Sequence, residues 1–288
     1  MKRYFLLSFA LFAMSGVHAA PLKSAEITAV VNDVKISTDS SSAQTARIGE
    51  KLTVSSSVLT GRNSRAELTF DDQTITRVGA NSIFRFSSGS RDMEIQQGSF
   101  LLNVPKNAGG ATIRTATVTA AITGTTTMME YSEGQWFKFL VIEGVAKLRN
   151  QNGDTIDVEP GNMIVMHPQA KNFPAPLVIN LQKLVKTSKL LDGKFFKPLG
   201  GNAKQLIDHS IASQLDRRRV GKLLPTGVIV RGPGRPFGKP DRAGNKGPRT
   251  VLPRGDGHMG NNGSGPGNSC IDTQGMPIPG CDISGSDF

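Results

Sequence analysis

The feature that most constrains the fold is a long series of short β-type segments between Ile27 and Met166. Within it apolar and polar residues alternate, as at Ala66, Leu68 and Phe70. A period of two is the pattern of a strand with one buried face. Turn residues interrupt the segments about every ten residues, a spacing typical of all-β folds. We therefore predict an all-β sandwich, barrel or β-solenoid of many short strands.

Two segments in this series carry more specific signals. The run Trp136–Ile142 is almost continuously apolar, which indicates a strand that is buried on both faces. Asn152-Gly153 separates the strand-like segments Val145–Leu148 and Ile156–Val158. Because both central residues of a type I′ turn need positive φ, Asn-Gly between such segments predicts a β-hairpin.

The pattern changes after Pro174, where apolar residues recur at helical spacing in two groups. The first group is Leu177, Leu181, Leu184, Val185 and Leu191. The second group is Leu206, Ile207, Ile211 and Leu215. Gly193 is a stop signal for the first helix and Asn202 is a start signal for the second. Residues 175–220 are thus predicted to form a helical extension of two short helices.

The positive charge of the chain is confined to one part of it. The formal net charge is +11, from 34 Lys and Arg against 23 Asp and Glu. Residues 21–182 hold 15 basic and 15 acidic side chains, whereas residues 183–254 hold 17 basic and 4 acidic ones. The β region is therefore neutral, which argues against a uniformly basic nucleic-acid-binding domain.

Residues 221–288 are predicted to be a disordered, Gly/Pro-rich basic tail. They contain 16 Gly and few large apolar side chains, so they bury too little surface to offset the entropy cost of ordering. Their charges favour contact with anionic lipid or polymer, although a solvated linker is an equally good interpretation.

Cys270 and Cys281 can close a small disulfide loop in an oxidising compartment; two unpaired thiols are the alternative.

The first residues have the pattern of a cleavable signal peptide. Two basic residues precede the apolar run Tyr4–Met14, and Val17 and Ala19 stand at positions −3 and −1 of a cleavage site. The apolar run is shorter than the roughly 20 residues that span a membrane. We interpret residues 1–19 as a signal peptide and expect the mature chain to be periplasmic or secreted.

The sequence has no pattern typical of catalysis, metal binding or cofactor binding. His167, His209 and His258 have no second ligand at metal spacing, and no Gly-x-Ser-x-Gly elbow is present. We therefore predict a non-enzymatic protein without a cofactor. An alternative is an envelope enzyme acting on anionic glycan, in which carboxylates such as Glu143 or Asp154 serve as acid and base.

Several phrases of the β region, taken in order, resemble the FecR domain family. Within Leu52–Phe70 the run T-G-R-N-S-R-A-E-L is similar to the family's T-G-x-x-S-R-A-x-L. Asp71–Ser82 then resembles the family's D-G-T-x-I-x-L-x-P-N-S. Two departures are visible: Gln73 stands where Gly is usual, and Gly79-Ala80 replace a proline-containing step.

Four shorter phrases continue the resemblance along the chain. They are Ile95–Gly98, Thr123–Thr125, Val141–Val145 and Gly161. Together the phrases cover Val30–Met166, and we assign residues 27–170 as a FecR-like β domain. The resemblance implies a β-sandwich or β-solenoid.

The resemblance also bears on function. In signalling members of the family, a segment that binds a cytoplasmic sigma factor and a transmembrane helix precede this domain. Here a signal peptide stands in their place, so we do not expect a sigma-factor partner. The expected partner is an unknown protein or an envelope polymer, bound by a scaffolding or sensing module.

Eight residues of the family phrases are candidate site residues at turns. They are Gly61, Ser64, Gly98, Gly124, Thr125, Glu143, Gly144 and Gly161. The glycines are expected to relieve the steric cost of positive φ at the corners. The hydroxyls of Ser64 and Thr125 are expected to hydrogen-bond the turned backbone near them. They are either corners alone or, if they line up on one edge, part of a recognition surface.

Overall fold

A computed structural model describes residues 20–38, 41–53 and 55–220 of the chain. The predicted signal peptide, the predicted tail and the Cys270–Cys281 pair lie outside the described residues. Among the described helices, none combines the length and the apolar character that crossing a membrane requires.

Short strands make up most of the described chain, and two helices follow them. The strands are β1 Ala25–Val31, β2 Val34–Thr38, β3 Ser41–Thr45, β4 Lys51–Leu52, β5 Ser56–Thr60, β6 Arg65–Phe70, β7 Ile75–Val78, β8 Ile83–Phe86, β9 Asp92–Asn103, β10 Ala111–Arg114, β11 Val118–Ile122, β12 Thr126–Ser132, β13 Trp136–Glu143, β14 Ala146–Asn150, β15 Thr155–Val158, β16 Asn162–Met166 and β17 Leu177–Val178. The helices are α1 Leu181–Thr187 and α2 Ala203–Arg219. The predicted all-β class is confirmed.

The strands form two layers that share β9. Layer 1 has the order β4-β1-β6-β7-β9-β12-β13-β16-β17. Layer 2 has the order β3-β2-β5-β8-β9-β10-β11-β14-β15. All these pairings are antiparallel except β9–β10. The first half of β9 lies in layer 2, and the second half, from Gly98 onwards, lies in layer 1.

The main hydrophobic core fills the space between the two layers. Layer 1 contributes large side chains from four strands: Leu68, Phe70, Phe100, Phe137, Phe139 and Ile164. Layer 2 contributes Val58, Phe84, Phe86, Val118 and Leu148. Phe70 packs edge-on against Phe86 across the core, with ring centroids 5.3 Å apart. Two layers facing one core make this fold a sandwich.

A second apolar cluster lies on the outer face of layer 1. Layer 1 supplies Leu101, Met128, Leu140, Ile142, Met163 and Val165. The helical extension covers them with Ile179, Leu181, Leu184, Leu190, Phe196, Leu199, Ala203 and Ile207. Strand β13 is therefore buried on both faces, as its apolar sequence predicted.

The extension differs in detail from the helical pattern of the sequence. Leu177 and Val178 pair with β16 as a strand, so α1 is shorter than the apolar spacing predicted. Helix α2 ends where expected, and its buried face overlaps the predicted one in part: Ile207 is buried and Ile211 packs against the second cluster. Its buried residues are Ala203, Ile207, Ser210 and Gln214. Leu215, which we predicted to be on the buried face, is 36% exposed.

The Asn152-Gly153 hairpin is confirmed, but not as a type I′ turn, because Gly153 has positive φ and Asn152 does not. Strands β14 and β15 pair on either side of it, and Gly153 has a φ of 89°. The side-chain oxygen of Asn150 accepts hydrogen bonds from the backbone N–H groups of Asn152 and Asp154, both at 3.0 Å. This Asx contact fixes the turn.

Candidate functional site

The candidate site residues lie on two sets of corners where the chain crosses between the layers. We call the first set the asparagine ladder; its corners are centred on Asn32, Asn63, Asn81 and Gly98. We call the second set the glycine ladder; its corners contain Lys106, Gly124, Gly144 and Gly161. Because β9 runs from Gly98 in the first ladder to Asn103 beside the second, the ladders lie at opposite ends of the layer 1 strands. The eight residues are therefore divided between two opposite ends and do not line up on one edge, the arrangement that the recognition-surface alternative required.

Hydrogen bonds between neighbouring corners hold the asparagine ladder together. Asn32 and Asn63 have φ values of 59° and 56°, a left-handed conformation that Asn tolerates better than most residues. Asn32 Nδ2 donates to the carbonyl oxygen of Asn63 at 2.8 Å. The backbone N–H of Asp33 donates to Ser64 Oγ at 3.0 Å. Ser64 is fully buried, and its hydroxyl, which also donates to the nearby carbonyl oxygen of Arg62 at 3.2 Å, joins two corners.

Gly61 does not have the expected positive φ; Asn63 takes the left-handed position of that corner. A Cβ at Gly61 would lie 3.0 Å from Asp33 Oδ2. Gly61 is thus small because the Asp33 side chain packs against it. Its carbonyl oxygen also accepts a hydrogen bond from the N–H of Asn81 at 3.1 Å, which connects the next corner.

Gly98 marks the point at which β9 passes from layer 2 to layer 1. Its φ is 103°, a conformation that residues with a Cβ rarely adopt. A Cβ here would overlap the buried side chain of Ser82. Ser82 Oγ accepts from the N–H of Ser99 at 3.1 Å, and the N–H of Ser82 donates to Thr60 Oγ1 at 2.9 Å. Gly98 is therefore a structural requirement of the crossing.

One departure from the family phrases has a structural account. Gln73, which replaces the usual Gly, lies in the turn between β6 and β7 with a φ of 67°. Asp72 Oδ1 accepts from the N–H of Thr74 at 2.8 Å and supports the same turn. The position is left-handed, and Gln occupies it despite the steric cost of its Cβ.

In the glycine ladder, successive corners approach too closely for larger residues. A Cβ at Gly124 would lie 2.9 Å from the Cα of Lys106, and one at Gly144 would lie 2.7 Å from Thr125 Oγ1. Both glycines have positive φ, of 58° and 83°. Thr125 Oγ1 donates to the carbonyl oxygen of Val145 at 3.2 Å. Thr125 therefore joins two corners, as Ser64 does in the other ladder.

Gly161 connects the glycine ladder to the helical extension. Its φ is 81°, and its N–H donates to the carbonyl oxygen of Val141 at 2.8 Å. A Cβ would overlap the side-chain amide of Gln214. That amide accepts from the N–H of Leu181 at 3.0 Å and donates to the carbonyl oxygen of Ile179 at 2.7 Å. Because Gly161 has no side chain, it leaves room for Gln214, whose hydrogen bonds join α2 to the start of α1.

Glu143, at the end of β13, lies in a cavity of about 350 Å³ between the glycine ladder and the start of α2. Asn103, Lys106 and Gly124 line one side, and Asn202 and Ala203 of the extension line the other. Only 5% of the Glu143 surface is exposed. The cavity is therefore a partly enclosed space with a buried carboxylate in its wall.

The electrostatic surroundings of Glu143 act in opposite directions. Burial raises the pKa of Glu143, because the charged carboxylate loses solvation. The positive charge of Lys106 and hydrogen bonds from Thr126 lower it in part. Thr126 Oγ1 in turn accepts from Asn103 Nδ2 at 2.8 Å. The net effect is a carboxylate that is protonated more readily than an exposed glutamate.

The structure does not bring Glu143 and Asp154 together. Asp154 lies in the β14–β15 turn, where its carboxylate accepts from Asn150 Nδ2 at 3.4 Å, and it does not line the Glu143 cavity. In the described part of the chain that cavity has no second carboxylate. A glycosidase of the usual kind needs two carboxyl groups on either side of one bond, and Glu143 and Asp154 do not form such a pair.

Sequence reasoning missed two buried ion pairs on the outer face of layer 1. Arg77 Nε lies 2.7 Å from Glu67 Oε2, and Lys138 Nζ lies 3.0 Å from Glu130 Oε2. The Arg77 and Lys138 side chains are each only 2% exposed. In the sequence these residues alternate with apolar ones and so resemble a solvated face. One sequence signal did indicate that this face is covered: the other residues of β13 on the same face are apolar.

Comparisons with known proteins agree with this description of the β domain. Residues 56–147 match the family model described as FecR protein, which confirms the resemblance over about a third of the chain. The match contains seven of the eight candidate residues and ends before Gly161. Among curated proteins, no significant match to this chain was found.

Two solved structures are similar to part of this chain. Both are crystal structures of a candidate anti-sigma factor from Parabacteroides distasonis. The first, at 2.50 Å resolution, has a TM-score of 0.38 and 15% identity, and covers 42% of this chain and 59% of that one. The second, at 1.65 Å, has a TM-score of 0.37 and 15% identity, and covers 41% of this chain and 57% of that one. This chain thus spans less than two thirds of either structure.

Proposed function

We propose that this chain is an exported, non-enzymatic FecR-domain protein that binds a partner at the bacterial cell envelope, as a scaffold or a sensor. The observation that carries the proposal is the FecR match at residues 56–147, which lies within the two-layer β domain. The signal-peptide pattern of residues 1–19 supports export. The proposal assigns the β domain to contacts with macromolecules.

The buried residues of the family phrases form the framework of the domain and are not themselves a binding surface. Ser64, Thr125 and Glu143 are buried, and the glycines beside them fit close approaches between corners. These residues therefore build the scaffold. Binding falls to the surfaces that the scaffold presents, which include the outer face of layer 2, where Lys147 and Asp157 are more than half exposed.

Cell fractionation tests the proposal directly. The full chain, expressed in a Gram-negative host, is expected in the periplasmic or envelope fraction with Ala20 as its first residue. A matched variant that lacks residues 2–19 is expected in the cytosol, because the export signal is removed. Recovery of the full chain mainly in the cytosol, with an uncleaved N-terminus, would refute export and with it the proposal.

A second comparison separates the β domain from the basic segment as the envelope-binding part. The full chain and a variant that ends at Val220 are washed from isolated envelopes with increasing salt. If the β domain binds, both proteins stay with the envelope to similar salt concentrations. If only the full chain stays, and salt releases it, the alternative of an electrostatic tether through residues 221–288 is correct.

A further inference from the structure

Strand β9 has a stretch without a strand neighbour on one side. Its pairing with β10 ends at Glu94, and its pairing with β12 begins at Gly98. Between them, Ile95, Gln96 and Gln97 have no partner strand on that side in the described part of the chain. On the other side, Ile95 and Gln97 pair with β8. A short length of sheet edge is therefore open within layer 2.

A cleft of about 610 Å³ lies along this open edge. Its far wall is the turn that follows β10, which includes Thr115 and Ala116. The turn is held in place, because the N–H of Thr115 donates to the carbonyl oxygen of Val118 at 2.9 Å and Gln151 Nε2 donates to that of Ala116 at 2.8 Å. The opening thus has two fixed walls.

The size of the cleft fits a short strand. A residue in an extended strand occupies roughly 160 Å³, from its rise, the spacing of strands and the spacing of sheets. The cleft therefore holds about three or four extended residues. This length matches the three residues of β9 that lack a partner on that side.

The floor of the cleft is apolar and aromatic. Met93, Ile95 and Tyr131 line it and are 1–3% exposed. Burial, and to a smaller extent the charge of Glu133, raises the pKa of Tyr131, so its phenol stays neutral at physiological pH. An inward-facing side chain of a bound strand would meet an uncharged surface.

The rim of the cleft has more carboxylates than cations. Asp92, Glu94 and Glu133 line it together with Arg114. Arg114 lies 3.6 Å from Asp92, and Arg85 stands opposite Glu94 in the β8–β9 register. Glu133 lies in the β12–β13 turn, beyond the Tyr131–Gly98 pair. The rim therefore favours a basic side chain at the Glu133 end.

We propose that this cleft binds an extended peptide segment of a partner protein, of three or four residues, by adding it to β9 as a strand. Main-chain hydrogen bonds to Ile95–Gln97 supply the affinity, as in other cases of strand addition. Alternate side chains supply the selectivity: an apolar one faces Tyr131, and a Lys or Arg lies at Glu133. This inference rests on the proposed function and names its binding surface.

The test uses the peptide acetyl-Val-Lys-Val-Lys-Val-amide as a probe of the full chain. Fluorescence anisotropy of the labelled peptide measures affinity, and ¹⁵N–¹H spectra locate the binding. We expect amide shifts concentrated at Ile95–Gln97 and at Thr115 and Ala116. The same peptide with all its amides N-methylated is expected to bind at least about tenfold more weakly, because its main-chain donors are lost.

Two protein variants and a control complete the test. Ala116→Trp puts a large side chain into the cleft from an exposed turn position, and binding is expected to fall at least about tenfold as the strand is excluded. Glu133→Gln is expected to weaken binding about threefold, as for an exposed ion pair. Glu159→Gln removes an exposed carboxylate from a turn outside the cleft and is expected to leave affinity unchanged.

The outcomes distinguish this inference from the proposed function. Equal binding of the N-methylated peptide, equal binding by Ala116→Trp, absence of binding, or amide shifts elsewhere would each overturn the cleft proposal and leave an exported binding module intact. Binding in the cleft by a chain that fractionates as cytosolic would support strand addition and refute the envelope role.

Discussion

The outer faces of the two layers are built from similar sequences and end in opposite environments. On layer 1 the Arg77–Glu67 pair is 2% and 9% exposed, because the helical extension lies over it. On layer 2 the Lys147–Asp157 pair is 60% and 58% exposed, and its atoms are 3.6 Å apart. Both pairs belong to strands in which charged and apolar residues alternate. Alternation thus identifies the two faces of a strand without showing what covers them.

The extension changes the energetics of the face that it covers. Arg77 Nη1 donates to the carbonyl oxygen of Leu190 at 2.8 Å, and Nη2 donates to that of Lys197 at 2.5 Å. The guanidinium also lies 4.7 Å from the centroid of the Phe196 ring. Desolvation lowers the pKa of Arg77, and Glu67 raises it in part. Arg77 therefore joins the β domain to the helical extension. A charged residue at an equivalent place on layer 2 would be solvated.

The largest expected effect comes from removing that cover. A chain that ends at residue 174 exposes six large apolar side chains of layer 1: Leu101, Met128, Leu140, Ile142, Met163 and Val165. At about 1.5–3 kcal/mol for each buried side chain, the loss is about 9–18 kcal/mol, comparable to or larger than the whole stability of a domain. We expect an insoluble or unfolded product, measured by soluble yield and circular dichroism.

A chain that ends at Val220 is the matched control for this truncation. It keeps every contact of the extension described above and is expected to melt like the full chain. A folded, cooperatively melting chain that ends at residue 174 would show that the extension is an accessory to the β domain and not its third layer.

The second effect compares one ion pair from each face. Arg77→Met leaves Glu67 buried without its cation, and we expect a loss of about 3–5 kcal/mol in the free energy of unfolding. Lys147→Met on layer 2 is expected to cost under about 1 kcal/mol, because its pair is exposed and screened. Urea denaturation of both variants measures the difference.

The double variant Glu67→Leu/Arg77→Met is the control for the buried pair. Replacing both charges by apolar groups removes the unpaired carboxylate, so most of the lost stability should return. Equal losses for Arg77→Met and Lys147→Met would contradict the contrast between the two faces.

The sequence allowed much of the layer 1 and layer 2 strand pattern to be predicted, because local alternation and turn residues determine it. The hairpin at Asn152-Gly153 and the burial of β13 on both faces are examples. The cover over layer 1 was not predicted in detail. Its interface includes Gln214, a polar residue buried only because two backbone groups of the extension meet it, and no helical apolar stripe reveals such a contact.

The candidate site shows the same division. Family phrases identified Gly98, Gly124, Gly144 and Gly161 as corners with positive φ, and the structure confirms it. Their division between two ladders depends on which layer each strand joins, which is a long-range property of the topology. The open edge beside β9 likewise follows from the early end of a neighbouring strand, and no local pattern marks it.

The smallest effect concerns Glu143, at a cavity that the start of α2 only partly fills. Because burial raises the pKa of Glu143, the folded chain binds a proton there more tightly than the unfolded chain does. Its charged form therefore lowers stability as the pH rises through the folded-state pKa, and the penalty is absent below the pKa of an unfolded glutamate. Glu143→Gln removes this titration. We expect the variant to melt slightly higher than the parent at pH 7 and at the same temperature near pH 3.5.

Lys106→Met is the companion variant, because it removes the charge that lowers the pKa of Glu143. Its melting temperature should fall more steeply between acidic and neutral pH than that of the parent. Differential scanning calorimetry over this pH range follows both variants. A Glu143→Gln variant that melts below the parent at pH 7 would mean that the carboxylate gains more from Lys106 and Thr126 than it loses by burial. The covered face of layer 1 would then stabilise a buried charge at Glu143. In that case this face would differ from the outer face of layer 2 only in how deeply its charged groups are buried.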